Sequence, residues 1–371
     1  MPSIITIGTA TKDIFLQSPL FRVVKDPHFT ARAGFPTGEA ECFALGSKVE
    51  IDTITFTTGG GASNAAVTFA RQGIKTACLA KIGNDQAGKD IIKELKRERI
   101  TPLTIKDRDL PTAYSTLLLA PSGERTVLVY RGASEDLRER DLPMNRLRAA
   151  WAYVVPGGIE YRTTKKIIDH LYRNGSLIAF SPSSAYLKMG MDKLKPLLNK
   201  MKVVVLNREE ASLLTKVHYD DERGIFKKLD ALIGGIAVMT EGHKGVLVSD
   251  GKHIFKAGIF QERRITDRTG AGDAFGSGFV AALIKRSNHS TSLDSARDKS
   301  LGASPSVSLR ASPSVSLGAS FEKDDIIEAI RLASANATSV VEYIGAKEGI
   351  LTARDFKHRR WWELDVHIAK V

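Results

Sequence analysis

Apolar positions along the chain follow two periods that alternate. Ile4–Gly8, "IITIG", is a continuous apolar run closed by glycine, which suits a strand buried on both faces of a parallel sheet. "KTACLAKIGND" repeats that pattern, and "QAGKDIIKELKRER" after it places apolar residues at helical spacing. Beyond residue 150 strand-like and helix-like pieces take turns: "AYVVPGG", "KKIIDHLYRNG", "LIAFSPSS", "MDKLKPLLNKM", "KVVVLNREEASLL", "GIAVMTEGHKGVLVSDG". This order predicts βαβ units in an α/β fold with a Rossmann-like, mostly parallel sheet flanked by helices. Ligands of such sheets bind at the carboxyl ends of the strands. Asp13, Asn207 and Thr240 each follow a predicted strand and are expected along that edge.

Three stretches break the rhythm. "VEIDTITFTTGGGASNAAVTFARQG" passes from two-residue alternation through a triple glycine into a helix predicted over Ser63–Gln72, with Gly73 ending it. Residues 20–50 are irregular and rich in Gly and Pro, and "AYSTLLLAPSGERTVLVYRG" reads as a hairpin around "PSGE". "SLGAS" occurs at 300–304 and 316–320, and "ASPSVSL" at 303–309 and 311–317. That tandem segment predicts a disordered low-complexity insertion over 287–321, between helices at 274–286 and 323–343.

Composition adds limits. Of 371 residues, 43% are hydrophobic and 26% charged, the balance of a globular protein with a full core. No apolar run approaches the roughly 18 residues of a membrane span, and the N-terminus "MPSIITIGTATKD" is not a signal peptide. Two cysteines make no disulfide framework, and Cys78 lies in an apolar run as a core residue. A cytoplasmic location and no membrane partner are therefore expected. The net charge of +12 is scattered apart from "FKHRRWWELD". It reads as a solvated basic surface that attracts phosphorylated metabolites, with no nucleic-acid partner expected.

The sharpest chemistry lies in "TDRTGAGDAFGSGF", Thr266–Phe279. Strand-like "HIFKAGIF" and "ITD" precede it and a helix follows, so Gly270, Ala271 and Gly272 would present amides at a helix N-terminus, where an anion is favoured. Asp273 would repel a resident pyrophosphate. It suits a transient anion: the carboxylate takes a hydroxyl proton, the hydroxyl oxygen attacks a γ-phosphoryl group, and the amides stabilise the charge that develops. The plainer alternative makes Asp273 the cap of a glycine-rich helix. A dinucleotide fingerprint fails on spacing and position, and no G-x-x-x-x-G-K-[ST] loop occurs.

"TTGGGASNAAVTFARQG" and "DRTGAGDAFGSGF", in this order, make the chain resemble a ribokinase-like sugar or nucleoside kinase of the phosphofructokinase-B type over most of its length. The resemblance implies a ribokinase-like α/β core (1–13, 52–112 and 132–371) and a small β-sheet lid (14–51 and 113–131). It implies ATP and Mg²⁺ as cofactors, with Asp273 as catalytic base and Gly270, Ala271 and Gly272 as the anion hole. Asn207 and Glu210 in "VVVLNREE" would organise ATP phosphates and Mg²⁺, Glu210 acting through water. A strand-end turn with a helix cap is the alternative for that pair. Thr240, Gly242 and Gly245 would line the nucleotide, with Ser334 and Asn336 near the adenine, unless these two are packed polar residues of an Ala-rich helix. Asp13, Gly60, Gly61, Asn64 and Arg131 would bind the acceptor, with a surface role as the alternative for Arg131. Asp267 is the candidate ligand of a monovalent cation such as K⁺. Paired lids would make a homodimer. Two departures stand out: Gly61 replaces a polar or basic side chain of several sugar kinases, which speaks against ribose, and Arg268 replaces a small hydroxyl residue. The resulting expectation is a phosphotransferase acting on an alcohol, a hydroxymethyl of a sugar in particular. A nucleoside kinase and a non-catalytic nucleotide or sugar sensor on the same fold are the alternatives.

Overall fold

The computed structural model describes the chain except residues 31, 33–37, 122–124 and 301–320, with side chains also left aside over 288–300. A ten-stranded sheet forms its centre. Ile4–Gly8 lies between Trp151–Val155 and Thr76–Leu79, parallel to both, in the register Ile4↔Trp151 and Ile4↔Thr76. Outward from Trp151–Val155 follow Leu177–Phe180, Val203–Asn207 and Ile236–Thr240, all parallel. Val246–Ser249, His253–Ala257 and Val366–Lys370 complete that side as an antiparallel edge, and Thr101–Pro102 closes the other. The expected Rossmann-like sheet with helices on both faces is present.

The two-residue period of the strands divides the core. Ile4, Trp151, Tyr153, Val203 and Val205 face one way and pack on Phe69, Phe275, Phe279, Ile326 and Ile330. Those five come from three helices: Gly61–Arg71, Ala271–Ser300 and Lys323–Val340. Ile5, Ala152, Val154, Ile178 and Leu206 face the other way, onto Ile167, Leu171, Leu197, Leu214 and Leu229. Burial on both faces explains why these strands read as continuous apolar runs. Both glycine-motif helices stand on the same face, with their N-termini at the carboxyl end of the sheet.

A second sheet of four strands forms the lid: Arg125–Tyr130, Ala113–Leu119, Thr11–Gln17 and Thr53–Gly59, in that spatial order. The expected lid spans of 14–51 and 113–131 are thus corrected. Asp13 belongs to a lid strand, and Thr53–Gly59, expected in the core, pairs antiparallel with it in the register Asp13↔Thr57. Two four-residue pieces of the 20–50 excursion instead make a separate ribbon, Arg22–Lys25 with Glu39–Cys42. The reason is local. The chain leaves the lid at Gln17 and re-enters it at Asp52, whose amide bonds Gln17 O at 3.0 Å, so the alternating "TITFTT" resumes pairing where the excursion closes.

Three further expectations change. The first glycine helix starts at Gly61, earlier than Ser63. "ITD" forms no strand, and the amides of Thr266 and Asp267 bond Val341 O instead. The helix expected over 274–286 runs over Ala271–Ser300, so 287–300 are helical and not part of an insertion. No Gly or Pro lies between Gly278 and Gly302, and nothing in the backbone stops the helix there. The repeats at 301–320 lie outside the described residues.

Gly270 opens this last helix with φ +81°, and a Cβ on it would overlap Ala346 Cβ. Gly270→Ala therefore combines left-handed strain with a clash. It should cost about 1–3 kcal/mol, read as a lowered melting temperature in a thermal scan, and an unchanged Tm would refute this packing.

Candidate active site

Two clefts meet at the turn Gly270–Asp273. Ala271 and Gly272 line a cavity of about 200 Å³, which Thr240, Gly242, Gly245 and Ser334 also line. Gly270 and Asp273 line a second cavity, of about 250 Å³, together with Asp13, Gly60, Gly61, Asn64 and Arg131. One helix N-terminus is thus the wall between the two spaces. Whatever binds on one side meets whatever binds on the other at Asp273.

The two glycine turns differ in how their amides are used. In the helix Gly61–Arg71, Gly61 N donates to Thr9 Oγ1 at 3.2 Å, and Ala62 N and Ser63 N reach Thr9 O at 3.2 and 3.4 Å. Thr9 thereby takes up the orphan donors that every helix start carries. In the turn at 270, the first helical bond is Ala274 N to Gly270 O at 2.8 Å, and Ala271 N makes a long 3.4 Å contact with Arg268 O. Gly272 N and Asp273 N donate to no acceptor among the described residues, and the helix dipole stands behind them. A Cβ on Gly272 would meet nothing within 4 Å, so the approach to this turn is open.

Asp273 and Asn64 are 209 residues apart in sequence, and Asn64 Nδ2 donates to Asp273 Oδ2 at 2.8 Å. Asn64 Oδ1 is buried with no partner among the described residues, and Asn64 lines the second cavity. A Cβ on Gly61 would overlap Val155 Cγ1 and lie 3.3 Å from Asp273 Oδ1, so a polar side chain has no room here. Burial raises the Asp273 carboxyl above its ordinary value, the Asn64 bond and Lys347 oppose this, and Asp13 adds to it.

Asp13, 4% exposed, enters from the lid and accepts a bond from Thr11 Oγ1 at 2.8 Å. Its carboxyl is also raised, by burial above all, against hydrogen bonds from Thr11 and Ser115 and the charge of Lys347. Ser115 sits opposite Asp13 in the parallel register of the lid. Arg131 lines the same cavity and pairs with Glu135 at 3.2 Å, although 64% of its side chain stays exposed.

On the other side, Thr240 ends a strand beside Asn207, and Gly242 and Gly245 take φ of +58° and +99° in the turn that follows. Ser334 Oγ is buried with no partner among the described residues. Arg268 and His243 bring basic side chains to this cavity beside Gly272.

Some expected residues do other work. Asn207 Oδ1 accepts Glu210 N at 2.8 Å, and the Glu210 carboxylate accepts Asn207 N at 2.8 Å. This capping box starts the helix Arg208–Thr215, and neither residue lines the two cavities. Asn336 is fully buried away from both. It donates to Ala274 O at 2.9 Å and accepts Leu351 N at 2.9 Å, clamping two helices to the C-terminal loop. The side chain lines neither cavity, as expected of a packed polar residue: an Asn facing Ala-rich neighbours finds backbone partners more readily than solvent. Asp267, 4% exposed, accepts Thr269 N at 2.9 Å, Thr269 Oγ1 at 2.7 Å and Gly345 N at 3.2 Å. Those donors organise the loop before the turn Gly270–Asp273.

Sequence reasoning missed Ser115, Glu135 and Lys347. Strand alternation from Asp13 could have flagged Ser115 once the pairing was known. No motif marks Lys347.

A family description, pfkB family carbohydrate kinase, matches residues 37–353. The chain belongs to the pfkB family of carbohydrate kinases. Its relatives include an ATP-dependent 6-phosphofructokinase of Thermoanaerobacterium thermosaccharolyticum, 25% identical over 65% of this chain and 76% of the relative. A cytidine kinase of Thermococcus kodakarensis is 28% identical over 64% of this chain and 86% of its own length. Among solved structures, Arabidopsis thaliana ribokinase complexed with ribose and ATP superposes with a TM-score of 0.69 at 18% identity, covering 95% of this chain and 97% of that one. The fold of this pfkB enzyme is accordingly ribokinase-like. These relatives act on a sugar phosphate, a nucleoside and a sugar by name, so likeness alone does not choose the acceptor.

The Asn336 geometry makes a prediction. Asn336→Ala should lower stability by about 1–3 kcal/mol, because buried backbone groups lose their partners. The extra stabilisation that added ATP gives should match that of the unaltered protein in paired thermal scans. A variant with full stability and lost nucleotide protection would restore Asn336 to the nucleotide site.

Proposed function

We propose that this pfkB kinase transfers the γ-phosphoryl group of ATP to a hydroxyl of an uncharged sugar, a hydroxymethyl in particular, with Asp273 as general base. The observation that carries the reading is the helix N-terminus shared by two cavities, with open amides toward one and a carboxylate toward the other. ATP fits the first cavity, where Arg268, His243 and the helix dipole favour its phosphates. The acceptor fits the second. Asp13 accepts its hydroxyls, the unpartnered Oδ1 of Asn64 accepts another, and Asp273 takes the proton of the attacking oxygen. The amides of Gly270–Gly272 stabilise charge as it develops on the phosphoryl oxygens. The lid carries Asp13 and Ser115 over the acceptor and keeps competing water out.

The chain carries no group of three or more His, Cys, Asp or Glu for a metal among the described residues. Mg²⁺ keeps water and phosphate oxygens and needs few protein ligands. Glu210, in the first turn of the helix Arg208–Thr215, would hold it through water, and when bound it would neutralise phosphate charge.

An uncharged acceptor is favoured over a phosphorylated one because Asp13, Glu135 and Asp273 all line the second cavity, against Arg131 alone, which Glu135 already pairs. The same carboxylates suit the ribose hydroxyls of a nucleoside, which is the second reading. A panel of pentoses, hexoses, their monophosphates and nucleosides, scored by ADP release, decides among them.

Asp273→Asn should lower turnover by about 10²–10⁴-fold. Its raised carboxyl also has a stability consequence. A folded-state value above the unfolded one stabilises the fold at low pH, and that contribution fades as pH rises through the folded value. At neutral pH the buried charge therefore costs stability, so Asp273→Asn should melt at a higher temperature while losing activity. For the unaltered enzyme, kcat/KM should fall on acidification with a midpoint above the ordinary carboxylate value. Turnover within tenfold of normal in Asp273→Asn would end the base assignment.

The lid's outer face supports a homodimer. Ile14, Phe56, Thr116 and Leu128 form one cross-strand row, in which Phe56 and Leu128 are 58% and 56% exposed. Light scattering should show a dimer, and Phe56→Glu with Leu128→Glu a monomer. A monomeric unaltered protein would rule this contact out.

A further inference from the structure

Lys347 is 4% exposed, in a loop that no motif marks. Its ammonium donates to Thr58 Oγ1 and Ser63 Oγ, both at 2.6 Å, and to Glu94 Oε2 at 3.3 Å. Three acceptors match the three donors of a protonated amine. Each hydroxyl is one residue from a neighbour of Asp13 or Asp273. Thr58 precedes Gly59, which lies so close to Asp13 that a Cβ there would overlap Asp13 Oδ2, and it follows Thr57, the register partner of Asp13. Ser63 precedes Asn64, which holds Asp273. The loop also reaches the catalytic turn, since Gly345 N bonds Asp267 and Ala346 packs where a Cβ of Gly270 would go.

We propose that Lys347 is a positioning residue for the transfer: a fixed internal ammonium that ties the lid strand and the glycine turn to the catalytic turn and supplies the positive charge that Asp13 and Asp273 share. Two carboxylates raised by burial stand in one cavity, and each is raised further by another carboxylate nearby. Unopposed, one of them would tend to hold a proton, and an Asp273 that holds a proton cannot accept one. The groups facing Lys347 are Glu94 from the helix Gln86–Arg97, Asp13 from the lid, Asp273 from the catalytic helix and Cys78 from the central sheet. Those facing Asp273 are Asn64, Lys347, Asp13 and the buried hydroxyl of Tyr153. Glu94 offsets part of the charge of Lys347, so removing one partner or the other moves Asp273 in opposite directions. Arg71 caps the arrangement from below, donating to Lys347 O at 2.9 Å and pairing with Glu98 at 2.8 Å.

The catalytic part of this assignment rests on Asp273 being the base, and the electrostatic part does not. The test is the ¹³Cγ titration of Asp273 in the full-length protein, its signal assigned by its absence from Asp273→Asn. Lys347→Met should raise the midpoint by about half a unit or more, and Glu94→Gln should lower it. Lys347→Arg should keep it near the unaltered value. The acid limb of kcat/KM should move in the same sense in each variant. A merely structural lysine would leave the midpoint in place while stability fell. Should Lys347→Met not fold, Glu94→Gln still decides, because it keeps the lysine and its two hydroxyl partners. Unmoved midpoints, or shifts of the same sign in the two variants, overturn the proposal. If the unaltered protein phosphorylates no acceptor in the panel, the kinase reading fails separately, and the midpoints still test the charge coupling.

Discussion

The site depends on one contradiction held in place. Asp273 sits at a helix N-terminus, where the dipole favours a negative charge, and in a buried setting, where lost solvation opposes it. Neither influence alone would suit the proposed role of base. A fully solvated carboxylate would be too weak, and an unsupported buried one would stay protonated. The Asn64 bond at 2.8 Å fixes the orientation of the carboxylate. Around it the sheet brings two glycine helices side by side, so residues 64 and 273 meet although most of the chain lies between them.

The two glycine turns show why composition alone misleads about anion sites. Both open helices, and both stand on the same face of the sheet. In the first, Thr9 satisfies the leading amides, and the glycines serve close packing beside Asp13 and Asp273. In the second, the leading amides stay available, and the neighbouring cavity carries Arg268 and His243. The difference lies in one threonine, 52 residues before Gly61.

Much of the architecture is legible in the sequence because its signals are local. Apolar runs buried on both faces read as parallel strands, and "TGAGD" carries its chemistry within one turn. What stays hidden depends on pairing. The alternation of "TITFTT" announces a strand and says nothing of which sheet, and only its partner Thr11–Gln17 puts Thr53–Gly59 in the lid. Asn207 and Glu210 read equally as phosphate ligands or a capping box, and the observed bonds are those of the box. Asn336 looks available on an Ala-rich helix, yet its partners come from residue 274 and residue 351. The serines of 287–300 suggest an insertion, while the lack of Gly and Pro there lets the helix continue.

Lys347 illustrates the deepest of these limits. Lysine is rarely buried unless its charge is answered, and sequence cannot say where the answer comes from. Here one carboxylate lies at 3.3 Å and two hydroxyls at 2.6 Å, which completes its hydrogen bonds but leaves its charge only partly neutralised. The remaining positive field reaches Asp13 and Asp273 and opposes the effect of burial on both. The desolvation that both acids and the lysine suffer is thus partly offset within the same small volume. Burial of three charged groups together is tolerable where burial of any one would not be, and this couples the stability of the cavity to the ionisation its chemistry requires.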